Sequence, residues 1–154
     1  MSASEIGKKL VELCKAGKNA EAIATLYADD IVSVEAGAPP GQSPESRGLA
    51  AVQGKSEWWR ANHTVHSATC EGPWPHGDRF AVRFTYDITR HANGQRVQMD
   101  EIGLFTVAGD KIVRAREAAK AALAQLRPDD IVSVVAFDDT VQVLVPATKA
   151  SDQP

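Results

Sequence analysis

The sequence contains little cysteine, no cluster of basic residues and no long apolar run. Cys14 and Cys70 are the only cysteines among 154 residues, too few for a disulfide framework, so we expect free thiols and a cytoplasmic location. No apolar stretch approaches the ~18 residues that a membrane-spanning helix needs. Lysine and arginine total 17 against 20 acidic residues and are scattered along the chain. Nucleic acids and anionic membrane surfaces are therefore not expected partners.

A duplicated hexapeptide is the most informative feature that is present. Asp-Asp-Ile-Val-Ser-Val occurs at residues 29–34 and again at 129–134. Each copy follows an alanine-rich amphipathic stretch, which predicts a helix–turn–strand unit near each end of the chain. The copies diverge at the next position, where Glu35 follows the first and Val135 follows the second. One predicted strand thus ends in an acid, whereas the other is wholly apolar there.

The periodicity of apolar residues predicts three helices followed by an antiparallel meander, which is an α+β arrangement. The helices are expected from a cap at Ser4 to Gly17, from Asn19 to Tyr27, and from Leu49 to about Ala61. The strands are expected at 31–35, 65–71, 80–89, 97–107 and 111–114. Residues 37–48 are predicted to be a loop, and 72–77 a turn that ends the strand before it.

Four stretches carry a resemblance to a known superfamily: LYADD at 26–30, GDRFAVRF at 77–84, MDEI at 99–102 and GDKIVR at 109–114. With the order of elements, they resemble the nuclear transport factor 2-like superfamily, and within it the SnoaL-like branch, over residues 4–114. The resemblance implies a cone-shaped curved sheet wrapped around the helices, an apolar pocket, and a homodimer formed through the sheet. Its members include polyketide cyclases, ketosteroid isomerases and epoxide hydrolases, so the fold alone does not define the reaction.

From Ala115 onward the sequence departs from that pattern. A helix is predicted at 116–126, then a buried strand at 131–137 and a second strand at 141–145. This part resembles an internal fragment of a von Willebrand factor type A domain, without that family's Asp-x-Ser-x-Ser metal motif, so no metal ligand is implied. Residues 115–148 are expected to integrate with the cone of 1–114, strand 131–137 joining its sheet through a crossover, and 149–154 to form a disordered tail. The chain is predicted to be a hybrid, natural or engineered.

The identity of the two hexapeptides leaves alternatives for the second copy. Its strand could occupy the place of the first one in the sheet, or it could exchange into a partner chain.

Two carboxylates are the catalytic candidates. Glu35 stands five residues after Asp30, where the resemblance places the general-base carboxylate of ketosteroid isomerases. Glu101 shares strand parity with Met99 and Phe105, so it should face the apolar interior. The alternatives are that Glu35 ends a strand in solvent and that Glu101 belongs to a structural ion pair, with His66, Arg83 or Tyr86 as partner.

The resemblance also defines what is missing. The positions of the oxyanion-stabilising tyrosine and carboxylic acid of ketosteroid isomerases correspond to Leu10 and Gly103 here. Without such donors a developing negative charge is unstabilised. Steroid isomerisation is therefore not expected.

Six further side chains are predicted to line the pocket: Trp58, His66, Phe84, Tyr86, Met99 and Phe105. Because the adjacent Trp58 and Trp59 cannot share one helix face, one should be buried and the other should lie at the pocket mouth or at an interface. His63 and His66 lack a third ligand for a metal, and an exposed or structural role is the alternative for His66.

Taken together, these patterns predict a small-molecule pocket protein that performs acid/base chemistry, as an isomerase, cyclase or hydratase, on a small apolar substrate. No cofactor or metal is implied. The alternatives are a ligand-binding or dimerisation module and a hybrid without enzymatic activity.

Overall fold

The computed structural model describes residues 1–38, 40–120, 131–137 and 141–149, and the side chains of residues up to 117. The helices within it are α1 (Ala3–Lys15), α2 (Asn19–Leu26) and α3 (Leu49–Asn62). Its strands are β1 (Tyr27–Val34), β2 (Glu45–Arg47), β3 (His63–His76), β4 (Arg79–Arg90), β5 (Arg96–Ala108), β6 (Lys111–Lys120), β7 (Ile131–Phe137) and β8 (Val141–Lys149). The predicted α+β class is confirmed. None of the described helices is long and apolar enough to cross a membrane.

Helix α1 begins with a capping box formed by Ser2 and Glu5. The Ser2 hydroxyl accepts a hydrogen bond from the backbone N–H of Glu5, and the Glu5 carboxylate accepts one from the backbone N–H of Ser2. The cap predicted at Ser4 is therefore wrong, because Ser2 and Glu5 have the spacing at which both reciprocal bonds form. The helix buries Ile6 and Leu10 against the sheet.

Strands β1–β6 form a curved sheet in the order β2-β1-β6-β5-β4-β3, in which the β1–β6 pair is parallel and the others are antiparallel. The alternation in β4 places Phe80, Val82 and Phe84 on the face that packs against the helices. Phe80 lies opposite Phe105 on β5, and their rings stack at 5.0 Å. The apolar core is therefore the layer between α1 and the middle of the sheet.

The strand predicted at 65–71 is part of the longer β3, which continues through the residues expected to form a turn. The pairing of β3 with β4 becomes irregular between Glu71 and Trp74, where Gly72 has a φ of +119°. The glycine and proline residues thus mark a bulge rather than the end of the strand. The predicted loop at 37–48 likewise contains the short strand β2.

The helix predicted at 116–126 is wrong in its first part. Strand β6 continues to Lys120, and Ala115 pairs with Ser33 on β1 and with Phe105 on β5. Pairing on both sides of the strand outweighs the helix propensity of alanine. Residues 121–126 lie outside the described part of the chain.

Strands β7 and β8 pair antiparallel, as predicted, but they form a sheet of their own. The expectation that Ile131–Phe137 joins the main sheet is therefore wrong, and β6 occupies the place beside β1 instead. Strand β8 lies near β3. The connecting residues 138–140 and the predicted tail after Lys149 lie outside the described residues.

The separate sheet leads to a prediction about truncation. A chain ending at Lys120 should retain cooperative unfolding and a melting temperature within about 5 °C of the full chain, a shift that corresponds to roughly 1 kcal/mol. A chain ending at Arg114 should lose cooperative unfolding, because it lacks half of β6 and its bonds to β1 and β5. Thermal melts followed by circular dichroism measure both. Equal behaviour of the two truncated chains would contradict this role for β6.

Candidate functional site

Two adjoining cavities lie between the helices and the sheet, with volumes of about 210 Å³ and 620 Å³. They share a set of lining residues from α1, α2, β1, β4 and β5. These are Cys14, Asn19, Ile23, Tyr27, Ser33, Glu35, Tyr86 and Glu101. The shared lining makes the two cavities one pocket with a smaller and a larger part.

Glu101 lies in the wall of both cavities, and Asp100 lies on the opposite face of the sheet. The Asp100 carboxylate accepts hydrogen bonds from Nε and Nη2 of Arg83 at 3.0 and 2.8 Å. This arrangement follows the strand parity that the sequence shows. Arg83, one expected partner of Glu101, forms an ion pair with Asp100, and its Nη1 lies 3.6 Å from Glu71 Oε2.

Glu35 also lines both cavities. Its carboxylate is bound to Lys55, which is not among the site residues predicted from the sequence. Lys55 Nζ lies 2.6 Å from Glu35 Oε1 and 3.0 Å from Ser33 Oγ. The side chains of Lys55 and Glu35 are 33% and 41% exposed, so the pair lies at the edge of the pocket, and Lys55 lines its larger part. A signal for Lys55 exists in the sequence, since the i,i+3 spacing to Trp58 and the i,i+4 spacing to Trp59 make it a neighbour of both tryptophans on the helix surface.

The two tryptophans of α3 both line the larger cavity and differ in exposure. Trp59 is half-buried and contacts Tyr86 at 5.4 Å between ring centroids, and its ring stacks on His63 at 4.7 Å. Trp58 is 61% exposed and lies in the wall of the larger cavity. Trp58 therefore forms part of the rim, and Trp59 packs beside Tyr86.

Three other predicted residues lie in the pocket wall. Phe84 and Phe105 line the smaller cavity, Met99 lines the larger one, and Phe84 pairs with Glu101 across β4 and β5. Phe84 is thus the neighbour of Glu101 on the β4 side, and Lys120 of β6 is its register partner on the other side.

His66 is not among the residues that line the two cavities. Its ring is exposed, and its Nε2 lies 2.7 Å from Thr89 Oγ1 on the neighbouring strand. The pairing of β3 with β4 is irregular between Val65 and Ser67. His66 therefore lies outside the pocket wall, in the exposed position that is the alternative for this residue.

Burial raises the pKa of Tyr86, and the negative charge of nearby Glu101 raises the pKa further. Burial likewise raises the pKa of Tyr27, which lines both cavities. The two phenols therefore stay protonated at neutral pH and can act as hydrogen-bond donors.

Glu117 is a third carboxylate in the wall of the smaller cavity, and its Oε2 accepts a hydrogen bond from the backbone N–H of Ala36 at 3.1 Å. Glu117 is not among the site residues predicted from the sequence, because the segment 116–126 is predicted to be a helix. Over the described residues, no three His, Cys, Asp or Glu side chains are arranged to hold a metal ion. Cys14 and Cys70 are free thiols.

Comparison with known proteins identifies the family. Residues 1–117 match the model of the SnoaL-like domain. The chain belongs to the SnoaL-like family. A search of curated proteins finds no match.

Solved structures show the same relationship. A candidate SnoaL-like polyketide cyclase from Mesorhizobium loti, also described as a carbohydrate phosphatase, is 46% identical, with a TM-score of 0.73. The match covers all of that protein and 77% of this chain. A candidate isomerase from Bacillus subtilis is 19% identical with a TM-score of 0.60, over 75% of this chain and 84% of that one. A protein of ketosteroid isomerase-like fold from Catenulispora acidiphila, bound to trimethylamine, is 20% identical with a TM-score of 0.58, over 77% and 87% of the two chains. The last two share the fold alone.

The raised pKa of Tyr86 predicts how stability depends on pH. The folded protein keeps the phenol proton at a pH where the unfolded chain, with a pKa near 10, has lost it. The free energy of unfolding should therefore fall as the pH rises above about 10, by up to about 1.4 kcal/mol per pH unit for this proton. In Tyr86→Phe this contribution is absent and the fall should be shallower. Urea unfolding at about pH 9 and about pH 11, two values that bracket the unfolded pKa, measures the fall in the free energy of unfolding for each protein. An equal fall in the wild type and in Tyr86→Phe would refute the assignment.

Proposed function

We propose that this SnoaL-like protein binds a small, largely apolar molecule in the pocket and performs acid/base chemistry on it, of the isomerase, cyclase or hydratase type. The observation that carries the proposal is the placement of Glu35 and Glu101 in the wall of the same cavities. Carboxylates in different environments of one site are suited to separate acid and base roles.

The two environments differ in the way such roles require. Glu35 forms an ion pair with the Lys55 ammonium at the partly exposed edge of the pocket, and its carboxylate is the general base of the proposal. Glu101 lies near the protonated phenol of Tyr86 and opposite Phe84 on β4. In this proposal Glu35 removes a proton from the substrate, the Tyr86 phenol donates a hydrogen bond to the substrate, and Glu101 acts as the second acid/base group.

The size and lining of the pocket support an apolar substrate. The larger cavity, about 620 Å³, falls within the ~300–1,000 Å³ of sites that enclose small organic molecules. Two tryptophans, two tyrosines and a methionine are among its lining residues. Flat apolar surfaces of this kind favour a ring-containing molecule.

A second candidate function is ligand binding without catalysis. It is favoured by Leu10, which is buried in the core, and by Gly103, where an added Cβ would lie 2.8 Å from the ring of Phe105. Neither position can supply the oxyanion donor that ketosteroid isomerases place there. Any donor must come from another part of the pocket.

Proton exchange at a ketone tests the catalytic proposal without knowledge of the natural substrate. The protein is incubated with 2-acetonaphthone in D2O, and loss of the methyl proton signal is followed by NMR. We expect exchange above the buffer rate, reduced ~100-fold or more in Glu35→Gln, because a general base contributes that much. Glu101→Gln should also slow exchange.

The matched control is Glu57→Gln, an exposed acid on α3 that does not line either cavity. It should exchange at the wild-type rate. Exchange at the buffer rate in the wild type, together with a co-purified small molecule in native mass spectra, would favour binding without catalysis.

We also propose a homodimer formed through the outer face of the sheet, which carries the half-buried Leu104 near the Arg83–Asp100 ion pair. Apolar residues flanked by polar ones are suited to such a contact. Sedimentation velocity at micromolar concentration should show a dimer, and Leu104→Asp should shift it to monomer. A wild-type monomer at that concentration would contradict the proposal.

A further inference from the structure

Lys55 has an unused hydrogen-bond donor in the larger cavity. A lysine ammonium carries three N–H donors. One is directed to Glu35 Oε1 at 2.6 Å and one to Ser33 Oγ at 3.0 Å. Within the part of the chain that the structure describes, the third has no protein acceptor, and Lys55 lies in the cavity wall.

The position of this ammonium is held by its two partners. Ser33 is 8% exposed and belongs to β1, and Glu35 is the first residue after that strand. Because both contacts lead to the end of β1, they hold the ammonium at one position in the wall of the larger cavity, where its third N–H can meet an acceptor on a bound molecule. Trp58 and Trp59 lie one helical turn further along α3 and line the same cavity as the ammonium.

We propose that Lys55 donates its third N–H to a carbonyl oxygen of the bound molecule and so selects apolar molecules that carry a ketone or ester group. This inference rests on the proposed function of the pocket. It assigns to α3 the oxyanion donor that Leu10 and Gly103 do not supply.

The charges of the wall favour a carbonyl over a carboxylate. Glu35 and Glu101 both border the larger cavity, and a ligand carboxylate bound at Lys55 would lie against the like charge of Glu35. A neutral carbonyl accepts the same hydrogen bond without that repulsion. It becomes negative only as a proton is removed, when the ammonium stabilises it most.

The proton transfer balances with these groups alone. Glu35 takes the proton from the carbon next to the carbonyl, and the electron pair of the broken C–H bond forms a C=C bond. The electron pair of the carbonyl π bond moves to the oxygen, which Lys55 holds as an enolate. Return of the proton to the same carbon, or to another carbon of a conjugated system, restores the carbonyl and regenerates the Glu35 carboxylate.

A matched pair of probes tests the inference by binding alone. 2-Acetonaphthone and 2-ethylnaphthalene have nearly the same shape, but only the first has a carbonyl oxygen. Equilibrium dialysis measures the affinity of each for the wild type, for Lys55→Met and for Lys8→Met, an exposed lysine of α1 that does not line either cavity. Because a hydrogen bond to a charged group is a strong one, we expect the wild type to prefer the ketone about tenfold or more.

In Lys55→Met the preference for the ketone should disappear while the affinity for 2-ethylnaphthalene is unchanged, which also shows that the pocket is intact. Lys8→Met should behave as the wild type. A ketone preference that survives in Lys55→Met, or is absent from the wild type while 2-ethylnaphthalene binds, overturns the inference and leaves the pocket function standing. Failure of both probes to bind the wild type overturns the pocket function and the inference together. If Lys55 controls binding but no proton exchange occurs, the anchoring role stands and the catalytic proposal fails.

Discussion

The pairing of β6 with β1 on one side and β5 on the other is the constraint on which the pocket depends. Ala115 lies between Ser33 and Phe105 in this arrangement. The pairing joins the first strand of the chain to the antiparallel meander and makes one sheet of them. As a result Glu35, which follows β1, and Glu101, on β5, lie in the wall of the same cavities.

The polar part of the pocket is a compensated arrangement rather than a set of isolated charges. Lys55 forms an ion pair with Glu35, and Glu101 lies near the Tyr86 phenol, with Phe84 and Lys120 as its register partners on β4 and β6. An isolated charge would lose much of its solvation in such a cavity, and a nearby partner reduces that cost. Because the Lys55–Glu35 pair lies at the partly exposed edge of the pocket, it contributes little to stability, and its main effect is to orient the two side chains.

The last described strands of the chain do not belong to the main sheet. The family model ends at residue 117, β6 ends at Lys120, and the β7–β8 pair is a separate sheet. The repeated hexapeptide therefore lies in β1 of the main sheet in its first copy, and residues 131–134 of the second copy begin β7 in the other sheet. Identical local sequence reaches different pairing because its partners differ: β1 has β6 and β2 beside it, and β7 has β8. The predicted hybrid origin and the likeness to a von Willebrand factor type A fragment stay predictions.

The sequence by itself determined the helices, the long alternating strands, the family and the side of the sheet that Glu101 faces, because these follow from local periodicity and quoted motifs. Tertiary structure decided what periodicity does not encode. The irregular pairing of β3 with β4 placed His66 on the exposed surface. Pairing with both β1 and β5 kept the alanine-rich residues after Ala115 in strand β6. Glu117 therefore lies in the wall of the smaller cavity. Lys55 reached Glu35 only because α3 packs beside β1. Contacts between elements distant in sequence depend on how those elements pack, and no local pattern records that.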